Sequence, residues 1–208
     1  MKKTCKIVLV GDSGTGKTCI IDRFVNDKFD KTQMSTACPS FCTKIIKYPE
    51  YNETINLDIW DTAGQEVYRS ISKLFYKSAS VGVLVYDITN IQSFNHIKEY
   101  WYKELKENAD SNIIFYIVGN KVDLFEEEQV NSKDAKEYAK SIGAGFYLTS
   151  AKSNLEISKL FIEAGKKYID PNYNSESGNK ANIINNNKND KENNIKIKKV
   201  SKSRSRFC

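Results

Sequence analysis

Eight residues near the N-terminus constrain this chain more than any others. Gly11-Asp12-Ser13-Gly14-Thr15-Gly16-Lys17-Thr18 fits the pattern G-x-x-x-x-G-K-T, directly after an apolar strand-like run at 6–10 and opening an amphipathic stretch at 17–26. Glycines let such a loop curl until successive backbone N–H groups converge on phosphate oxygens, and the following helix N-terminus adds positive field. Lys17 then reaches the β- and γ-phosphates, and the Thr18 hydroxyl is a Mg²⁺ ligand. A chance match is the alternative, and the strand–loop–helix context argues against it.

The rest of the chain supplies a matching frame. Residues 81–86 and 113–118 are nearly all apolar, as strands covered on both faces must be. Residues 41–48 and 54–60 flank Pro49-Glu50-Tyr51-Asn52, a hairpin signal. Phe94, Ile97, Trp101 and Leu105 recur at helical spacing, as do Ile157, Leu160, Phe161, Ala164 and Tyr168. Ser153 and Glu156 have the offset of a capping box before the last helix. Strands separated by single helices predict an α/β fold with a mostly parallel sheet.

Charge divides the chain in two. Residues 1–170 hold 23 basic and 23 acidic residues, whereas 171–208 hold 9 basic and 3 acidic, so the net +6 belongs to the tail. A neutral domain at 1–170 with a basic tail at 171–208 gives no reason to expect a nucleic acid polymer as partner. Residues 172–194 contain ten Asn and few large apolar groups, a composition that predicts disorder. No apolar run approaches the ~20 residues of a membrane span, and the first residues lack a signal-peptide layout. Five cysteines (5, 19, 38, 42 and 208) have no paired metal spacing, and their odd number fits a reducing compartment. Cys5 and Cys19 read as small packing residues, and the lone histidine, His96, as a solvated helix residue.

Two further clusters sit at strand ends. Asp61-Thr62-Ala63-Gly64-Gln65 follows the strand at 55–60. A carboxylate there can hold Mg²⁺ through water, Gly64 leaves its N–H open to a terminal phosphate, and Gln65 can orient an attacking water. Asn120-Lys121-Val122-Asp123 follows the strand ending at Gly119. A carboxylate accepting from N1–H and the 2-amino group selects guanine, since adenine has no such donor pair. Asn120 bridges to neighbouring loops, and Ser150-Ala151-Lys152 offers the Ala151 N–H to guanine O6.

Taken together these motifs resemble the small Ras-like GTPases over residues 5–169. The resemblance implies a small G domain, with a six-stranded sheet carrying one antiparallel edge strand and flanked by five helices. It implies nucleotide contacts from Asp12, Ser13, Gly14, Thr15, Gly16, Lys17, Thr18 and Cys19, with Phe29 stacking on the base. Thr36 looks like the switch threonine that joins Thr18 and Asp61 around Mg²⁺ in the triphosphate state. Catalysis would fall to Gln65, Lys17 and Gly64. No arginine matches a finger in cis, so unaided turnover is expected on the order of 10⁻⁴ per second, the Ras scale.

Within that superfamily the chain resembles the Rab type. Residue 2 is Lys where Arf-type members have a myristoylated Gly. Only 30 positions separate Asn120 from Ser150, too few for a Rho-type insertion, and the tail is basic where Ran-type tails are acidic. Residues 57–61, 68–71 and 84–89 look Rab-like, and 141–152 resemble the endosomal group. The likeness implies a switch in vesicle traffic on the cytoplasmic face of intracellular membranes, cycling with cytosol. It implies an exchange factor, an activating protein, effectors read by Phe41, Trp60 and Phe75, a dissociation inhibitor and a prenylation escort. The polybasic end with terminal Cys208 fits prenylation, where a lipid chain and a basic patch anchor together. One cysteine stands where Rab tails usually have two.

The chain departs from the family pattern after Thr36, where Ala37-Cys38-Pro39-Ser40-Phe41 replaces the usual Ile-Gly-Val-Asp-Phe. Pro39 removes a backbone donor and Cys38 gives up the freedom of glycine, so altered effector choice is expected with the Mg²⁺ site kept. Val67-Tyr68 likewise alters the expected exchange-factor surface. Two other readings remain open at this point, a nucleotide kinase and a nucleotide-loaded interaction module that barely hydrolyses.

Overall fold

The computed structural model describes residues 3–33, 36, 39–62 and 74–174. Six strands form one sheet: β1 (Lys3–Val10), β2 (Ser40–Tyr48), β3 (Glu53–Asp61), β4 (Val81–Asp87), β5 (Ile114–Asn120) and β6 (Gly145–Leu148). Their order is β2-β3-β1-β4-β5-β6, with the β2–β3 pair antiparallel and every other pair parallel. The antiparallel edge strand and the parallel body are as the sequence predicts. Residues 49–51 make the hairpin turn, closed by Asn52 in the left-handed region.

Helices cover both faces, which is why β4 is buried at every position. On one face lie α1 (Lys17–Asn26) and α5 (Ile157–Ile169), joined by a Phe24–Phe161 stack at 4.2 Å. The other face carries a continuous rod made of α2 (Ile91–His96), a π-helical turn (Ile97–Trp101) and α3 (Tyr102–Asn108), followed along the chain by α4 (Ser132–Ser141). Phe94, Ile97, Trp101 and Leu105 are all buried, as their spacing predicts. Residues 74–76 are helical where the description resumes. Asn90 and Asn131 cap α2 and α4 through side-chain oxygens that accept backbone N–H groups.

The capping box expected at Ser153 and Glu156 does not form. Helix α5 starts only at Ile157, and Glu156 sits before it in the left-handed region with no side-chain cap. Its carboxylate pairs instead with Lys159 at 3.0 Å, while the Ser153 N–H donates to Ser150 Oγ.

Strand β1 lies inside the sheet with β3 on one side and β4 on the other. The connection from β1 runs to β2 on one side and that from the neighbouring β4 runs to β5 on the other, and the crevice beyond such a switch point is where open α/β sheets bind ligands. Residues 11–16 occupy that crevice.

Candidate functional site

Backbone conformation sets the loop after β1. Gly16 has φ of 92°, and a Cβ there would lie 2.4 Å from Asn120 Nδ2; at Gly11 one would lie 2.1 Å from the Val85 carbonyl. Only glycine passes at both points. The loop then feeds α1, whose first residue, Lys17, is 5% exposed. Its ammonium donates to the Gly11 and Asp12 carbonyls, each at 2.8 Å. Burial pulls the Lys17 pKa down to about 8, while Asp61 and Asp12 pull it up.

Beyond the loop lies a cavity of about 380 Å³. Its wall includes Ser13, Gly14, Gly16, Lys17, Thr18 and Cys19 from the loop and α1, then Phe29 and Thr36. Asn120, Lys121, Asp123, Ala151 and Lys152 close the far side. Sequence-predicted residues from four separate segments thus meet around one space.

Three predicted residues stand behind the wall. Thr15 is buried, its hydroxyl donating to the Asp12 carbonyl at 3.0 Å and its own carbonyl accepting from Asn120 Nδ2 at 2.9 Å. Ser150 is also buried and donates to Asp123 Oδ1 at 2.6 Å, fixing that carboxylate. Asp12 turns its side chain away from the cavity toward His96 and Trp101. Asn120 ties the segments together, because its Oδ1 also accepts from Thr149 Oγ1 and the Ala151 N–H. Lys121, in the left-handed region, pairs with Asp87 at 2.7 Å. Lys152 approaches Asp123 Oδ2 at 3.5 Å.

At the other end three oxygen donors converge. Thr18 Oγ1 lies 2.6 Å from both Thr36 Oγ1 and Asp61 Oδ2, and Thr36 reaches the same carboxylate at 3.4 Å. Asp61 is buried, and its Oδ1 has no hydrogen-bond partner among the described residues. Burial raises the Asp61 pKa against the opposing pull of Thr18, Lys17 and Thr36. An orphaned buried carboxylate oxygen beside two hydroxyls suits a hard divalent cation that keeps water and phosphate among its ligands. Among the described residues no group of three His, Cys, Asp or Glu side chains could cage a metal alone.

Phe41, Trp60 and Phe75 form a continuous aromatic row, Phe41 stacked on Trp60 with centroids 5.0 Å apart and Phe75 tilted against Trp60 at 5.3 Å. Phe41 is 60% exposed at its open end, and Lys6 Nζ lies 4.8 Å from the Trp60 ring centroid. Gly64 and Gln65, the altered segment's Ala37 and Cys38, Val67-Tyr68, and the tail from residue 175 to Cys208 lie outside the described residues.

Sequence reasoning missed Arg23. Its Nε donates to the Ala151 carbonyl at 2.8 Å and its Nη1 to Asp27, so α1 props up the Ala151 loop. The local Arg23–Asp27 spacing is visible in sequence, but the partner 128 residues away has no sequence signal. His96 is exposed at the end of α2, as the sequence predicts, and its contact with Asp12, 84 residues away, is a partner that no local signal announces.

Comparison with known proteins gives the family. The Ras family model matches residues 6–170. Ras-related protein Rab-22A of Canis lupus familiaris is 42% identical, across 85% of this chain and 89% of its own. Ras-related protein Rab-31 of Rattus norvegicus is 45% identical across 83% and 88%. Ras-related protein Rab5A of Oryza sativa subsp. japonica is 39% identical across 80% and 81%. Likeness of that depth, carried through nearly the full length of both partners, places the chain in the Ras family on its Rab branch, as a GTP-binding switch that hydrolyses GTP to GDP and regulates vesicle traffic.

Proposed function

We propose that the cavity holds the guanine nucleotide with its phosphates on residues 12–19 and its base between Phe29 and the Asn120–Asp123 and Ser150–Lys152 segments. The observation that carries this reading is the Asn120 side chain, which joins the loop beneath the phosphates to the loop beneath the base. Asp123, steadied by Ser150, accepts from N1–H and the 2-amino group of guanine, while the Ala151 N–H meets O6. Lys17 neutralises the β- and γ-phosphates.

Small GTPases use Mg²⁺ with their nucleotide, and Thr18, Thr36 and Asp61 are the residues we assign to it. The ion, when bound, neutralises charge developing between the β- and γ-phosphates. Gln65 positions the attacking water and the Gly64 N–H meets the γ-phosphate. Release of that phosphate frees the segments around Thr36 and Gly64, and Phe41, Trp60 and Phe75 present the change to effectors. With no arginine supplied in cis, hydrolysis is slow until an activating protein arrives.

The relatives support an endosomal membrane as the working place, with exchange factor, effectors and dissociation inhibitor as partners. The basic tail and a prenylated Cys208 would hold the switch there. Replacing Asp123 by Asn tests the base assignment, because an amide donor matches the 2-oxo group of xanthine. Asp123→Asn should lose GDP and gain xanthosine diphosphate; unchanged preference for GDP would overturn the reading.

A further inference from the structure

The Asp12 carboxylate is gripped at both oxygens by one helical rod. Trp101 Nε1 donates to Oδ1 at 2.8 Å, and His96 Nδ1 lies 2.6 Å from Oδ2. A carboxylate only accepts, so Nδ1 carries the hydrogen. Two side chains five residues apart would point about 140° away from each other on a regular α-helix, at 3.6 residues per turn. Here the rod widens into a π-helical turn over Ile97–Trp101, with the Tyr102 N–H reaching back to the Ile97 carbonyl. A π turn bonds i to i+5 and so carries more residues per turn, which brings His96 and Trp101 to the same side, where both reach Asp12. Such turns occur frequently at functional sites.

What the grip fixes is the start of the phosphate loop. The backbone carbonyl of the same Asp12 accepts from Lys17 Nζ and Thr15 Oγ1, at 2.8 and 3.0 Å. Anchoring the side chain therefore fixes the carbonyl that orients the ammonium. It also keeps a carboxylate turned away from a cavity built for phosphates, where its charge would repel them. Trp101 is buried and structural in its own right, whereas His96 is half-exposed and contributes little to the core.

We propose that His96 is a positioning residue for the nucleotide: acting through Asp12, it holds the phosphate loop in its binding curvature and slows nucleotide release. This rests on the reading of the cavity as the nucleotide site. The test uses the full chain loaded with fluorescent GDP in Mg²⁺. His96→Leu should speed release by about fivefold, the size expected of coupling between residues in one hydrogen-bonded network. His96→Asn, whose Nδ2 replaces the Nδ1 donor, should return release to within about twofold of the parent. In an Asp12→Ala background, His96→Leu should add nothing. Unchanged release in His96→Leu, failure of Asn to rescue, or additivity with Asp12→Ala would each overturn the proposal.

A readout without nucleotide separates this inference from the cavity assignment. Hydrogen exchange at amides 13–16 of the nucleotide-free chain should quicken in His96→Leu and recover in His96→Asn. Equal exchange in all three proteins would overturn the role of His96, whereas refusal of guanine nucleotide alone would overturn the cavity reading.

Discussion

Asn120 Nδ2 donates to the Thr15 carbonyl at 2.9 Å, although 105 residues separate the two in sequence. The same carboxamide, 2% exposed, accepts from Thr149 Oγ1 and the Ala151 N–H. Asn120→Ala would strand a buried carbonyl and a buried hydroxyl at about 1–3 kcal/mol each. GDP affinity should fall by about thirtyfold, and the unfolding free energy from urea titration should fall by about 2 kcal/mol. Titration showing parent-like GDP affinity would mean that the two loops are held together by something else.

Metal removal tests the oxygen cluster. Chelating Mg²⁺ should speed GDP release by about tenfold or more in the parent chain, since a divalent charge between phosphates and carboxylate is lost. Asp61→Asn keeps the shape but replaces the orphaned Oδ1 or its partner with a donor. Release from that variant should be fast with or without chelator. A chelator effect as large as the parent's would remove Asp61 from the site.

Cys5 reports on the core beneath β1. It is fully buried, and burial, aided by Asp58, pushes its thiol up to about 12. An unfolded cysteine ionises near ~8.5, so between those values the unfolded chain binds fewer protons than the folded one. Stability must then fall as pH rises, by about 1.4 kcal/mol per unit from this group. Tyr48, Tyr86 and Tyr116, all raised by burial, add to the loss above ~10. Urea midpoints measured from pH 8 to 11 should decline steadily, and a flat profile would contradict the buried, neutral Cys5.

Gln65→Leu separates a slow enzyme from a passive nucleotide-loaded module. Leucine has no group to orient water, so single-turnover hydrolysis should drop by about tenfold or more while GTP stays bound. Rates equal within error would assign water positioning elsewhere.

Much of this was legible in the sequence because the signals are local. Apolar runs marked β1, β4 and β5, and each motif sits at the strand end that its residues predict. The meeting of Lys17, Thr36, Asn120 and Ala151 around one cavity follows from motif identity plus strand order. What was hidden depends on contacts between distant side chains. His96 and Asp12 are 84 residues apart, and the π turn that aligns them departs from the 3.6-residue period on which helix reading relies. The failed capping box shows the opposite limit: Ser153 and Glu156 have the right offset, yet the helix begins after both.

The most direct measurement is calorimetric titration of the nucleotide-stripped chain with GDP and with ADP, Mg²⁺ supplied. Asp123 and the Ala151 N–H have partners on guanine and none on adenine, so GDP should bind roughly three to four orders of magnitude more tightly. Comparable affinities for the two diphosphates, or no heat from either, would contradict the account.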